Sequence, residues 1–146
     1  MPAYAHRVPV DAPLERLSSL LLDKIERPDR YIREISGVHV ERRIDEHTIV
    51  RRMRVGDVMQ LTEVITADEK THTVVFKAVG HPDFTSTVIN TIYEEDGRLY
   101  LEYAMVNTAK PGRPGFRGDG AAMMRGAVEH MRALAEAGQA RADRER

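Results

Sequence analysis

The sequence predicts an α+β protein in which a curved antiparallel sheet wraps around one long C-terminal helix. Two patterns support this prediction. From residue 37 to residue 107 apolar and polar residues alternate, and turn residues recur about every ten positions, which is typical of consecutive antiparallel strands. From residue 120 to residue 136 apolar residues recur at three- and four-residue spacing, which is typical of an amphipathic helix. The predicted order is a strand, two helices, six strands and a long helix (β-α-α-β6-α).

The composition limits the classes of protein to which the chain can belong. Its 146 residues are the size of one domain, which we place at 1–137, followed by a charged tail, 138–146, that we expect to be disordered. The formal net charge of −1 creates no field that would attract nucleic acid. The chain has no cysteine and no long apolar run, so we expect neither disulfides nor membrane insertion, and we expect a cytoplasmic protein.

The first part of the chain is predicted to form a strand and two helices. Residues 3–10 alternate, and Pro9 favours an edge position for this strand. Asp11 is predicted to cap a helix over 11–27, which has leucines at helical spacing and ends at Pro28. The residues after Pro28 have room for one further helical turn.

The alternating region is predicted to contain six strands separated by short turns. The strongest turn signal is Asp96-Gly97, because a two-residue type I′ turn needs a positive φ at both central residues. The predicted strands are 38–45, 48–55, 58–66, 73–79, 86–95 and 98–107.

A long loop is predicted between the last strand and the last helix. Residues 108–120 are rich in Gly and Pro, and this segment is either a plain connector or a mobile flap over an opening. The helix that follows has Asp119 as a candidate N-cap and Gly138 as a candidate C-terminal stop. Its apolar stripe is rich in Met and Ala.

Four segments resemble a known family. They are YAHRVPV with the Leu-rich helix that follows, RPDRYI, IVRRMRVGDVMQLTEVIT, and VINTIYEEDGRLYLEYAM. With them the chain resembles the AtaL-like family of unassigned function, within the START and Bet v 1-like helix-grip superfamily that also includes polyketide cyclases. The resemblance implies a helix-grip fold with a cavity between the concave sheet and the long helix. The chain departs from familiar small-molecule binders of the superfamily in having no Trp and three Phe.

The turns indicate which side chains face that cavity, because residues opposed across a hairpin share a face. The Asp96-Gly97 turn pairs Ile92 with Leu101, Asn90 with Tyr103 and Val88 with Met105, and this more apolar face is predicted to point inward. A two-residue turn at 46–47 would bring Arg42, Ile44, Arg51 and Met53 to the same face. A three-residue loop at 55–57 would add Leu61 and Glu63.

These faces and the helix stripe predict a ligand-binding site. Arg51 and Glu63 would be diagonal neighbours that form an ion pair, because a buried charge is costly unless it is paired. The pair is either an internal salt bridge or a set of polar anchors for a mostly apolar ligand. The predicted ligand-binding residues are Arg42, Arg51, Met53, Leu61, Glu63, Phe76, Asn90, Ile92, Tyr103, Met124, Val128 and Met131.

Three functions remain open. The first is binding of a small hydrophobic molecule without turnover. The second is a cyclase- or dehydratase-type enzyme in which Glu63 acts as acid or base with Tyr103 and Asn90 as polarising groups. The third is a structural or partner-binding domain with a filled core, which an enclosed space below about 300 Å³ would favour. The six histidines show no metal-ligand spacing, so we expect neither metal nor cofactor, and the oligomeric state stays open.

Overall fold

The computed structural model describes residues 3–57 and 59–145, and at 139, 140, 142 and 143 it describes the backbone alone. Seven strands, two helices and one 3₁₀ turn occur along this part of the chain. In order they are β1 (Ala3–Pro9), α1 (Leu14–Glu26), the 3₁₀ turn (Pro28–Arg30), β2 (Ile35–Arg43), β3 (Thr48–Val55), β4 (Met59–Asp68), β5 (Thr73–Val79), β6 (Phe84–Glu95), β7 (Arg98–Ala109) and α2 (Gly120–Arg144).

All seven strands form one antiparallel sheet in the order β1-β7-β6-β5-β4-β3-β2. Because β2 to β7 are joined in sequence as a meander, only β1 is placed next to a strand distant in the chain. Helix α2 packs against β1 and β7, and α1 packs against α2. The predicted α+β architecture, a curved sheet around a long C-terminal helix, is confirmed.

The ends of both helices differ from the prediction. Helix α1 begins at Leu14 with Pro13 as its N-cap, so Asp11 does not cap it; the Asp11 backbone N–H instead donates to the Glu136 carboxylate at 2.7 Å. Asp119 does cap α2, since its side chain accepts from the Ala122 N–H at 3.0 Å.

The predicted helix stop at Gly138 is wrong, and residues 138–144 of the predicted tail continue α2. Gly138 has a different use, because a Cβ at this position would collide with the Arg16 guanidinium. Arg16 also donates to the Leu134 carbonyl at 3.3 Å. The absent side chain therefore leaves room for the Arg16 guanidinium against α2.

The β6–β7 hairpin has the predicted register. Ile92 is opposite Leu101, Asn90 is opposite Tyr103 and Val88 is opposite Met105. The turn residue Asp96 has a φ of 53° and Gly97 has a φ of 76°, as a type I′ turn requires. The turn chemistry alone thus placed these side chains correctly.

The β3–β4 register differs from the prediction by two residues on the partner strand. Val55 pairs with Met59, so the loop begins at Gly56, whose φ of 63° suits a turn. Arg51 and Glu63 are therefore directly opposed and not diagonal. A shift of two residues keeps the same face, so the predicted inward residues of β4 still point inward.

The predicted inward face of β2 is wrong for Arg42 and Ile44, which are exposed, whereas Val38 and Val40 pack against the buried apolar residues as predicted. Its pairing with β3 is irregular between Ser36 and His39 and again between Val40 and Arg42. Val40 lies opposite Arg51, whereas Arg42 lies opposite Val50 and is exposed. An irregularity that adds a residue to one strand reverses the alternation beyond it. The prediction assumed a regular two-residue hairpin, which contains no such extra residue.

Two groups of buried apolar residues fill the interior. The larger lies among α1, α2 and the sheet and includes Leu17, Leu101 and Val128. The smaller lies toward β2 to β6 and is formed by Ile35, Met53, Leu61, Ala78 and Phe84, with Phe116 packed against it. Within the described ranges, no helix is long and apolar enough to cross a membrane.

Candidate ligand-binding cavity

A small cavity lies between the concave face of the sheet, the end of α1 and the start of α2. Its volume is about 70 Å³. Most of its wall is apolar and is supplied by β3 to β7 and by Met123 and Met124 of α2. The polar lining residues are Lys24, Arg51, Glu63, Ser86, Asn90 and Tyr103. We call this space the inner cavity.

Arg51 is the centre of the polar lining. It is 2% exposed, and its Nη2 lies 2.7 Å from Oε1 of Glu63, which is 5% exposed. Its Nη1 donates to the carbonyls of Ile25 at 2.6 Å and Lys24 at 3.3 Å. These carbonyls belong to the last turn of α1, where carbonyls lack helical partners and a cation is favoured by the helix dipole. Arg51 therefore joins the sheet to the end of α1.

Lys24 brings an amine into the same lining. It is 3% exposed, and its Nζ donates to Oδ1 of Asn90. Its Nζ also lies 4.1 Å from the ring centroid of Tyr103 and 5.0 Å from that of Phe76. Burial, and then the charge of Arg51, hold the pKa of Lys24 well below its usual value, and the charge of Glu63 only partly opposes this.

Several buried polar atoms of the lining have no hydrogen-bond partner among the described residues. They are the Tyr103 hydroxyl, Nδ2 of Asn90 and Nε of Arg51. Burial raises the pKa of the Tyr103 hydroxyl, so this group stays an uncharged phenol that can donate one hydrogen bond and accept others. Buried polar groups are normally satisfied, so these atoms are candidates to contact a ligand.

A larger, open space adjoins the inner cavity, and we call it the outer cleft. Its volume is about 630 Å³. The two spaces share four wall residues, which are Val55, Phe84, Phe116 and Met123. Phe116 packs edge-on against Phe84 with ring centroids 5.5 Å apart. The loop before α2 therefore supplies one side chain of the partition between the two spaces.

That loop is attached to Asp83, the residue directly before β6. The Arg113 guanidinium lies 2.7 Å from the Asp83 carboxylate, and the Lys110 N–H donates to the Asp83 carbonyl at 2.9 Å. Gly115 and Gly118, on either side of Phe116, have φ values of 81° and 122°. Phe116 thus lies between an anchored stretch and two glycines in conformations that favour glycine.

Eight of the twelve predicted ligand-binding residues line the inner cavity. They are Arg51, Met53, Leu61, Glu63, Phe76, Asn90, Tyr103 and Met124. Ile92, Val128 and Met131 are instead packed in the larger apolar group, and Arg42 is exposed. Val128 and Met131 lie one and two turns further along α2 than Met124, where the helix rests directly on other side chains.

The prediction missed several lining residues. The most important is Lys24, which lies three residues after Leu21 and seven after Leu17, on the buried side of α1. This spacing indicates that Lys24 lies on the buried side of the helix, but lysine side chains are rarely buried. Ser86 could have been found by alternation, since it precedes Val88 and Asn90 on the same face of β6.

The described residues contain no group of three or more His, Asp or Glu side chains that could hold a metal ion. The polar lining of the inner cavity has one carboxylate, and Arg51 occupies it. The arrangement suits hydrogen bonding to a neutral ligand better than metal coordination.

Solved structures share this fold, although no family model and no curated protein matches the sequence significantly. A Thermus thermophilus protein is 17% identical over 92% of this chain and 99% of its own, with a TM-score of 0.66. StfQ, a di-domain aromatase/cyclase from the steffimycin biosynthetic pathway, is 15% identical over 94% of this chain and 52% of its own, with a TM-score of 0.76. The Zhui aromatase/cyclase of a Streptomyces species is 18% identical over 92% of this chain and 88% of its own, with a TM-score of 0.62.

These likenesses show the fold. The protein has the helix-grip fold that these structures share. The chain corresponds to about half of the di-domain protein, since it covers 52% of that chain.

Proposed function

We propose that this protein binds a small, largely hydrophobic molecule between the sheet and α2. The observation that carries the proposal is the set of unpartnered polar atoms on Asn90 and Tyr103 at the floor of an apolar cavity. Ligand sites are typically apolar with a few placed polar groups. The ligand would lay its apolar part against the Met and Phe walls and direct one polar group toward Tyr103 and Asn90.

The ligand needs more room than the inner cavity has in this conformation. Its volume of about 70 Å³ is below the ~150 Å³ that holds a benzene molecule and the ~300 Å³ at which most ligand pockets begin. The outer cleft adds about 630 Å³ on the other side of Phe116 and Met123. A rotation of Phe116 would join the two spaces, so we propose that the loop at 110–119 is the gate.

A second candidate is an enzyme of the cyclase or dehydratase type. It is favoured by the neutral Tyr103 hydroxyl, which faces the cavity as a proton donor without a described partner, and by the names of two structural neighbours. Glu63 lines the cavity, but its carboxylate already accepts a hydrogen bond from Arg51, so it is less available to a substrate. Turnover of a polyketide-like substrate that is lost in Tyr103→Phe would support this candidate.

The small inner volume favours a third candidate, a filled-core domain that binds no ligand. A titration with 2-naphthol, an aromatic phenol that fluoresces, separates it from the first. Ser86→Leu should fill the inner cavity and abolish binding, whereas Thr85→Leu, on the exposed face of β6, should leave it unchanged. Absence of binding by the wild-type protein, or equal binding by both variants, would contradict the proposal.

Two narrower assignments accompany this proposal. The four sequence segments that resemble the AtaL-like family support membership of that family within the superfamily. The balanced charge and lack of cysteine support a cytoplasmic location.

A further inference from the structure

The inner cavity contains a primary amine in an unusual setting. Lys24 is 3% exposed, and its Nζ faces the Asn90 amide oxygen and two aromatic rings. The nearby carboxylate of Glu63 makes its ion pair with Arg51 instead. Nothing in the proposed binding function requires a lysine at this place, since an apolar residue would line the wall at lower cost.

The surroundings favour the uncharged form of this amine. Burial and the adjacent Arg51 guanidinium both disfavour an ammonium ion, and they lower the pKa of Lys24 despite Glu63. A desolvated lysine next to another cationic group is a recognised form of activated nitrogen nucleophile. The hydrogen bond to Asn90 uses one N–H of the amine, so the nitrogen lone pair is free to react.

The geometry points to Lys24 as a nucleophile that forms an imine with a carbonyl group of a ligand in the inner cavity. The ligand class is a small apolar aldehyde or ketone. The inference rests on the proposed function, because the carbonyl compound must occupy the same cavity. It goes beyond that function in assigning a covalent, reversible attachment to a residue of α1.

Imine formation needs only the amine and the carbonyl compound. The Nζ lone pair forms a bond to the carbonyl carbon, and the π electrons of the carbonyl move to its oxygen. The two protons of the amine pass in turn to that oxygen, the C–O bond breaks, and one water leaves as the C=N bond forms. The Tyr103 hydroxyl lines the same cavity, and it can donate one proton as it accepts another.

Reductive trapping tests the inference. The folded protein is treated with butanal and sodium cyanoborohydride, and peptide mass spectrometry locates the butyl groups. The chain has four lysines, of which Lys70 and Lys77 are exposed and serve as internal references. We expect Lys24 to be alkylated ahead of Lys70 and Lys77, and we expect 2-naphthol to protect Lys24 alone.

Three variants complete the experiment. Lys24→Arg keeps a cation but has no reactive amine. Lys24→Met replaces this variant if the larger arginine side chain prevents folding. In both, the fast alkylation should disappear while the circular dichroism spectrum is retained. Phe116→Ala removes a side chain of the partition and should make Lys24 react faster.

The outcomes separate this inference from the proposed function. Alkylation of Lys24 no faster than that of Lys77, in both the wild-type protein and Phe116→Ala, would overturn the inference. If 2-naphthol still binds in that case, the proposed function survives without a covalent step. Fast alkylation of Lys24 without any 2-naphthol binding would support the inference and contradict the proposed function. The cavity would then contain a reactive amine but would be too small for the proposed ligand.

Discussion

Arg51 and Glu63 lie directly opposite each other on β3 and β4, and a distance of 2.7 Å joins Nη2 of Arg51 to Oε1 of Glu63. Both side chains are buried beside the inner cavity, and Arg51 also binds two carbonyls at the end of α1. This one pair thus connects the sheet, the first helix and the candidate site.

Removing one partner of this pair should destabilise the fold strongly. Glu63→Ala leaves the Arg51 charge buried without its carboxylate, and we expect the free energy of unfolding to fall by about 3–5 kcal/mol in urea titrations. The matched control is Glu41→Ala, which breaks the exposed Arg52–Glu41 pair and should cost less than about 1 kcal/mol. Equal losses in the two variants would show that the buried pair contributes no more to stability than the exposed pair.

Lys24 should make stability depend on pH. The folded protein holds the pKa of Lys24 well below the value of about 10.4 that it has in the unfolded chain. Between the two pKa values the unfolded chain binds the extra proton, so the contribution of this site to stability rises with pH and levels off above about pH 10.4. The stability of Lys24→Met minus that of the wild type should therefore fall as pH rises through this window.

Urea unfolding of both proteins at a series of pH values measures that difference. Lys77→Met is the control, because Lys77 is exposed on β5 and its difference from the wild type should stay constant. A difference for Lys24→Met that does not change with pH would show that the buried amine keeps its ordinary ionisation.

Tyr103 should matter more for binding than for folding. Its hydroxyl is buried and has no hydrogen-bond partner in residues 3–57 and 59–145, so Tyr103→Phe should leave the free energy of unfolding unchanged or raise it by about 1 kcal/mol. If the hydroxyl contacts the ligand, the same variant should lose about 0.5–1.5 kcal/mol of 2-naphthol affinity by calorimetry. A large loss of stability with unchanged affinity would reverse this assignment.

Much of the fold followed from local sequence chemistry. The Asp96-Gly97 turn determines the β6–β7 register, and alternation then places Asn90 and Tyr103 on the concave face. The β2 irregularities, which expose Arg42, depend on how β2 pairs with β3 and leave no clear mark in the alternation. In the sequence Gly138 is typical of a helix stop. In the structure it lies beside Arg16 of α1, and a contact between two helices cannot be inferred from the local sequence.

The site was only partly predictable for a related reason. Strand residues such as Arg51 and Glu63 could be assigned to a face, since a strand has only two. The direction of the Lys24 side chain could not be assigned. It lies at the border of the apolar stripe of α1, where a charged side chain can point either to solvent or to the interior. Phe116 lies in a loop, where no periodicity indicates direction, and only the structure places it between the inner cavity and the outer cleft.

The methionine methyl groups provide the most direct test of the central claim, that a small hydrophobic molecule binds in the inner cavity. Met53, Met105 and Met124 line this cavity, Met59 lines only the outer cleft, and Met131 is packed in the core away from both. NMR spectra of protein labelled with ¹³C at the methionine methyls would be recorded during a titration with 2-naphthol. We expect shifts of Met53, Met105 and Met124, with Met131 unchanged. Shifts confined to Met59, or none at all, would contradict the claim.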